Sequence, residues 1–190
     1  MEFVPESEVE GLLADFGITS VPCEDERVYL HMADSSEVVR IHLATAETGA
    51  TPEEGAQVIT VEPGDLAPAI DDIIRELRLS QVLLVPVSKW RHVFDAVAFS
   101  LAENEDWQEF ETTATVELNT RDPLLCEPVD YQTIIALMRA LLSDADRPEQ
   151  GLMLTTTAAP LLVEVIPDGA VRISFGNQVL ADEVADAFIK

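Results

Sequence analysis

Three histidines, two cysteines and one short basic segment are the side chains through which this chain could do chemistry. His31 and His42 lie in two alternating runs, residues 27–32 and 38–43, whose antiparallel pairing sets His31 opposite Val38 and His42 opposite Arg27. That register puts both imidazoles on one sheet face but roughly 13 Å apart along the strands, too far to share a metal whose nitrogen ligands stand about 2 Å away. With Arg27, Tyr29 and Arg40 on the same face, they are expected to be polar side chains of a solvated sheet surface. A surface patch that engages an acidic partner, or another copy's acidic surface, is the functional alternative.

Residues 88–92, Ser-Lys-Trp-Arg-His, form the one locally basic stretch of an acidic chain. Ser88 is placed to cap a helix, so Lys89, Arg91 and His92 fall in its first turn, where cations oppose the helix dipole unless an anion or carboxylate answers them. The segment also follows a strand expected to be buried, a position where open α/β sheets present ligand sites. Ser88, Lys89, Arg91 and His92 are therefore a candidate end for a phosphate or carboxylate, set against plain pairing with the chain's own surplus acids.

Catalytic constellations are lacking. No GxSxG elbow, no GxGxxG or P-loop glycine pattern and no HExxH occurs. Asp71 and Asp72 are neighbours on a helix, about 100° apart, and are expected to be solvated charges. Cys126 sits among Leu124, Leu125 and Pro128 with no cation to lower its pKa, which suits a buried inert thiol. Cys23 and Cys126 show no CxxC or Cys/His spacing, so neither a disulfide framework nor a zinc cluster is indicated, and no cofactor is expected.

Charge narrows the partners. Eleven Lys and Arg face 36 Asp and Glu, a net charge of −25 on 190 residues, in a chain that is 47% hydrophobic. Residues 1–26 carry eight acids, and residues 95–117 seven more, with no Lys or Arg in either stretch. Nucleic acid and anionic membranes are repelled by that sign. No stretch approaches the roughly 20 apolar residues of a membrane span, and no basic region precedes an apolar run at the start, so a soluble, unprocessed, cytoplasmic protein is expected. Acid excess with only two lysines fits an ordinary acidic bacterial protein and, as the alternative, a saline cytoplasm, where salt screens self-repulsion.

The elements that must position these residues follow from periodicity. A first helix is expected from a Ser7 cap with Glu10 completing a capping box, Val9, Leu12, Leu13 and Phe16 inside, and Gly17 as the stop. After the hairpin of residues 27–43 come an exposed loop over 44–56, a strand at 58–61, and a helix with Leu66, Ile70, Ile73, Ile74 and Leu77 on one stripe. Residues 82–87 are continuously apolar, which implies a strand covered on both faces. A helix follows with Trp90, Val93, Phe94, Val97 and Leu101 inward and Phe99 off the stripe. Residues 110–118 alternate as a strand, and 119–128, with two prolines, are the candidate boundary between two sub-halves of what reads as a single compact domain over 1–190.

Beyond it lie a helix over 129–143, strands near 152–156, 161–166 and 171–175, and a closing helix bearing Leu180, Val184, Ala187 and Phe188. Pairing Val165 with Val171 and Val163 with Ile173 sets Glu164 opposite Arg172 on the solvent face, one register satisfying both core and charge. The order αβββαβαβ, then αβββα, rich in hairpins, predicts an α+β fold with mostly antiparallel sheets packed on amphipathic helices.

A non-enzymatic protein-interaction module, with a protein partner or a second copy in a homodimer, is the expected function, with exposed apolar residues such as Phe99 and Leu162 covering a partner. In element order and acidity the chain is similar to secretion chaperones of the type III class, which are small acidic α/β dimers; that resemblance implies a chaperone-like or regulatory role. The alternatives are a small-anion binder or enzyme at residues 88–92, and an acidic mimic of nucleic acid.

Overall fold

The computed structural model describes residues 1–48, 51–114 and 116–185. Among them the fold is α+β, as the periodicity predicts. An eight-stranded sheet runs in the order β1 (Glu2–Phe3), β7 (Leu124–Cys126), β6 (Val82–Pro86), β8 (Leu152–Thr155), β9 (Leu161–Ile166), β10 (Ala170–Phe175), β4 (Val39–Ala44) and β5 (Gln57–Thr60). Every neighbouring pair is antiparallel except β4 and β5, which run parallel across the connection 45–56. A separate two-stranded ribbon pairs β2 (Ile18–Pro22) with β3 (Val28–Met32).

One face of the sheet is closed by α2 (Leu66–Glu76), α3 (Trp90–Val97) and α5 (Tyr131–Asp144), with α5 packed against both of the others. Each presents the apolar stripe its spacing demands: Ile70, Ile73 and Ile74 on α2, Trp90, Val93 and Val97 on α3, and Ile134, Met138 and Leu141 on α5 are at most 2% exposed. The uninterrupted apolar run of β6 is buried at every position, which is what coverage of both faces requires. On the opposite face α1 (Glu6–Asp15) and the ribbon form a second, smaller core from Val9, Leu13, Ile18, Leu30 and Met32 against Leu83, Val85, Met153 and Leu162. The Arg121 guanidinium ties this cover to the sheet: Nη2 donates to the Val28 and Pro86 carbonyls, each at 3.2 Å, and Nη1 pairs with Glu6 at 3.2 Å.

Two expected elements are wrong. Residues 27–32 and 38–43 do not form a hairpin: β3 pairs back with β2, Ile18 opposite Met32, while β4 is drawn into the main sheet beside β10, Ile41 opposite Ile173. The short turn after β2, where the Cys23 amide donates to the Arg27 carbonyl at 2.7 Å, closes a tighter hairpin than residues 33–38 could, and β4 gains buried positions for Ile41 and Leu43. Residues 110–118 are not a strand. Phe110 belongs to helix α4 (Glu105–Thr113), because Asn104 caps it by accepting the Trp107 amide at 2.9 Å, Glu105 and Asp106 favour its positive end, and Trp107, Phe110 and Ala114 share one buried helical face. Trp107 and Phe110 join Phe3, Trp90 and Phe94 in an aromatic cluster with centroids 4.6 to 6.3 Å apart.

Smaller corrections concern the caps. Pro5, not Ser7, precedes α1, and no side chain caps it; the Glu6 amide donates to Asp122 Oδ1 instead, at 3.2 Å. Lys89 occupies the cap of α3, while Ser88 is buried one residue earlier. Gly17 does end α1, in the left-handed conformation at φ 73° that glycine adopts without strain. Strands β1, β2 and β7 are additions, and Leu162, expected to cover a partner, is buried inside. The closing helix α6 spans Gln178–Glu183 with Val184 buried; Ala187 and Phe188 lie outside the described residues.

Candidate functional site

The β9–β10 pairing has the predicted register, Val165 with Val171, Val163 with Ile173 and Glu164 with Arg172. The face that carries Glu164 and Arg172 is not open to solvent, however. Strand alternation puts Leu162 and Glu164 of β9, Arg172 and Ser174 of β10, and Arg40 and His42 of β4 on the side that faces the ribbon. Between that row and the ribbon lies a cleft of about 230 Å³, lined by Val21, Tyr29, Leu30, His31 and Met32 from the ribbon and by Arg40, Leu162, Glu164 and Ser174 from the sheet, with Glu53 at its side.

Arg40 joins the two walls. Its Nη2 donates to the Met32 carbonyl at 3.0 Å and pairs with Asp34 at 2.9 Å, and its Nε pairs with Glu53 at 2.9 Å. Glu53 comes from the connection 45–56, which is also tied down where the Thr48 hydroxyl donates to the Gly169 carbonyl at 2.8 Å. Glu164 has no ion pair or hydrogen bond among the described residues. Burial, reinforced by the charge of Glu53 and only partly opposed by Arg172 and Arg40, pushes its carboxyl up to about 7. Ser174 is 7% exposed, and its hydroxyl likewise has no hydrogen-bond partner among the described residues.

Behind the cleft, Arg172 holds Asp168 at 2.6 Å while its Nη1 is buried without a partner. Its cross-strand neighbour His42 is 1% exposed and neither ring nitrogen is hydrogen-bonded among the described residues. Burial first, then the Arg172 charge, holds this imidazole below the usual histidine range, so it is neutral. A solvated sheet face was expected here; the structure buries the residue instead.

The five patch residues are thus partly reunited. Tyr29, His31 and Arg40 line one cleft from two different sheets, His42 lies on the same sheet face as Arg40 but inside, and Arg27 stands beside Tyr29, donating to its hydroxyl at 3.1 Å with the guanidinium 5.8 Å from the ring centre. His31 opposes Thr19, and His42 opposes Arg172, not the partners expected. Arg27 is also paired with Asp25 at 2.6 Å. Each arginine of the patch is already answered by a carboxylate.

At residues 88–92, Lys89 and Arg91 are exposed and take no ion pair among the described residues, against the expected pairing with surplus acids, and His92 is half-buried. The first helical amide is spoken for, because Trp90 N–H donates to the Thr120 carbonyl at 3.2 Å. No group of three or more His, Cys, Asp or Glu that could hold a metal occurs among the described residues. Asp71 pairs with Arg75 at 2.7 Å. Cys126 is fully buried, its thiol pushed up to about 12 by burial.

The residues the sequence did not single out are Glu164 as a site residue, Ser174 and Glu53. A signal for Glu164 was present: it alone interrupts the apolar run Leu161–Ile166, the same signature that marks β6 as covered on both faces. Compared with known protein families, with curated proteins and with solved structures, the chain matches none.

Proposed function

We propose that this chain is a non-enzymatic protein-interaction module whose partner presents a basic surface. The observation that supports it is the fate of the positive charges. Arg27, Arg40, Arg75, Arg121, Arg147 and Arg172 are all paired with the chain's own acids, and with only 11 Lys and Arg against 36 Asp and Glu the surface field is strongly negative. Such a field draws in basic partners and repels a second copy, nucleic acid and anionic lipid. Among the described residues no helix is long and apolar enough to cross a membrane. Phe99, 93% exposed in a segment carrying Asp95, Glu103 and Glu105, supplies an apolar anchor with an acidic rim. A cytoplasmic setting suits the exposed thiol of Cys23.

The test is to cross-link the chain to its partner in the cells that make it, then follow association of the purified pair against salt. The association rate should fall on the order of tenfold or more as salt rises, and Phe99→Ser should speed dissociation while leaving association unchanged. A salt-indifferent rate would refute the proposal. Lys89 and Arg91, exposed and without an ion pair among the described residues, favour a second reading, a small anion held at the start of α3. Calorimetric titration with phosphate decides it: loss of binding in the double charge reversal at Lys89 and Arg91 supports it, and no binding to the unaltered chain removes it.

A further inference from the structure

The cleft under the ribbon combines features that the interaction surface does not use. It is a formed cavity between two sheets, and at about 230 Å³ it is smaller than the roughly 300–1,000 Å³ of drug-sized ligand sites, so its occupant is one side chain or a small molecule. Its charges do not balance. Arg40 is shared by Asp34 and Glu53, Arg172 is matched by Asp168, and Glu164 has no cation. The missing charge is positive. Ser174, a polar side chain more than nine-tenths buried, lines the same cleft with an unused hydroxyl. Apart from His31, the remaining walls are apolar or aromatic, and Tyr29 already has one cation near its ring, the Arg27 guanidinium at 5.8 Å.

We propose that this cleft binds an alkylammonium group, with Glu164 as its counter-ion, the Ser174 hydroxyl as a second acceptor, and Tyr29, Leu30, Met32 and Leu162 around the alkyl stem. An ammonium offers three donors and no acceptor, which matches a carboxylate and a hydroxyl with the third donor left to water at the mouth. An alkyl stem packs on apolar walls while its charged head finds the counter-ion. A small anion meets the opposite balance, since no arginine lining the cleft is free of a carboxylate. The site stands apart from the proposed protein partner, because a free amine fills it as well as a lysine side chain does.

Binding couples to a proton. The ammonium pairs with the ionised carboxylate, whereas Glu164 is protonated below about 7. The groups that face it are Glu53, Arg172, Arg40 and Asp168, with His31 and Tyr29 across the cleft.

Titration by NMR with Nα-acetyl-lysine amide and with n-butylamine tests this, with the uncharged Nα-acetyl-norleucine amide as control. Affinity for the amines should be about tenfold higher at pH 8 than at pH 6. Glu164→Gln should abolish binding, and His31→Asn should keep the pH dependence. A tighter hold on the lysine amide than on butylamine identifies a polypeptide lysine as the source, and the reverse identifies a free amine. Equal binding of the norleucine amide, or of the amines to Glu164→Gln, overturns the proposal. So does failure of either amine to bind the unaltered chain. Should the variant not fold, the Glu164 carboxyl resonance of the unaltered chain serves: saturating lysine amide must lower its midpoint, and an unmoved midpoint overturns the proposal equally.

Discussion

The helix-covered face of the main sheet buries Ile41, Leu43, Val163, Ile173 and Phe175 beneath α2, α3 and α5, whereas the ribbon-covered face runs from Leu83, Val85 and Met153 to Glu164, Arg172 and His42. The width of the cover accounts for the difference. Eight strands at about 4.8 Å spacing are far wider than a two-stranded ribbon, so the ribbon and α1 seal only the stretch from β7 to β9. The rest of that face carries polar side chains, and Glu53 meets them from the side. Burial there is imposed on charge instead of being driven by apolar contact, and among the described residues both His42 ring nitrogens and Arg172 Nη1 are left without partners on that face.

This contrast can be broken from either side. The largest effect belongs to the helical face: Trp90→Ala removes a fully buried ring from the aromatic cluster, together with the indole N–H that donates to the Asp122 carbonyl at 2.8 Å. A loss of about 3–5 kcal/mol is expected, measured by urea unfolding.

On the ribbon face the expected sign reverses. A glutamate that titrates at 4.5 when unfolded and at about 7 when folded keeps an extra proton in the folded state between those values. Stability of the unaltered chain therefore falls as pH rises from about 4.5 to about 7. Glu164→Gln removes that loss, so the variant should match the unaltered chain at pH 4 and exceed it at pH 8 by up to about 3 kcal/mol, at about 1.4 kcal/mol for each pKa unit. A variant less stable at pH 8 would mean that the carboxylate has a partner in the folded chain.

His42→Leu should gain about 1 kcal/mol near pH 7.5 by removing two unpaired buried nitrogens. Because the folded imidazole is held below its usual 6.5, the unaltered chain loses stability as pH falls below that value, and the advantage of the variant should widen there. Thermal melting across pH reads both changes. The smallest effect is expected at Phe99→Ser, within about 0.5 kcal/mol, since its ring is 93% exposed.

The same contrast explains what could be read from the chain. The α3 stripe is legible because Trp90, Val93, Phe94 and Val97 recur at helical spacing against a single cover, and the β9–β10 register because Val163, Val165 and the Glu164–Arg172 pair agree on one alignment. Residues 110–118 mislead because Phe110 and Ala114 satisfy a period of two and a helical face at once, and only the Asn104 cap and Trp107 decide between them. The cleft is not legible. Tyr29 and His31 reach Arg40 across two sheets instead of along one hairpin, and Glu164 and Ser174 arrive from more than a hundred residues away, so no local spacing encodes the meeting.

Arg121 gives the smaller layer its mechanical character. A single guanidinium, bonded to Val28 on the ribbon, Pro86 on the sheet and Glu6 on α1, acts as a clasp near the end of the ribbon that meets β6, while at the mouth beside Glu53 Arg40 makes the polar tie, to the Met32 carbonyl. The ribbon is thereby held by several polar bonds at the β6 side and by one arginine at the mouth, so the wall a guest first meets owes its polar fastening to a residue that also lines the cleft.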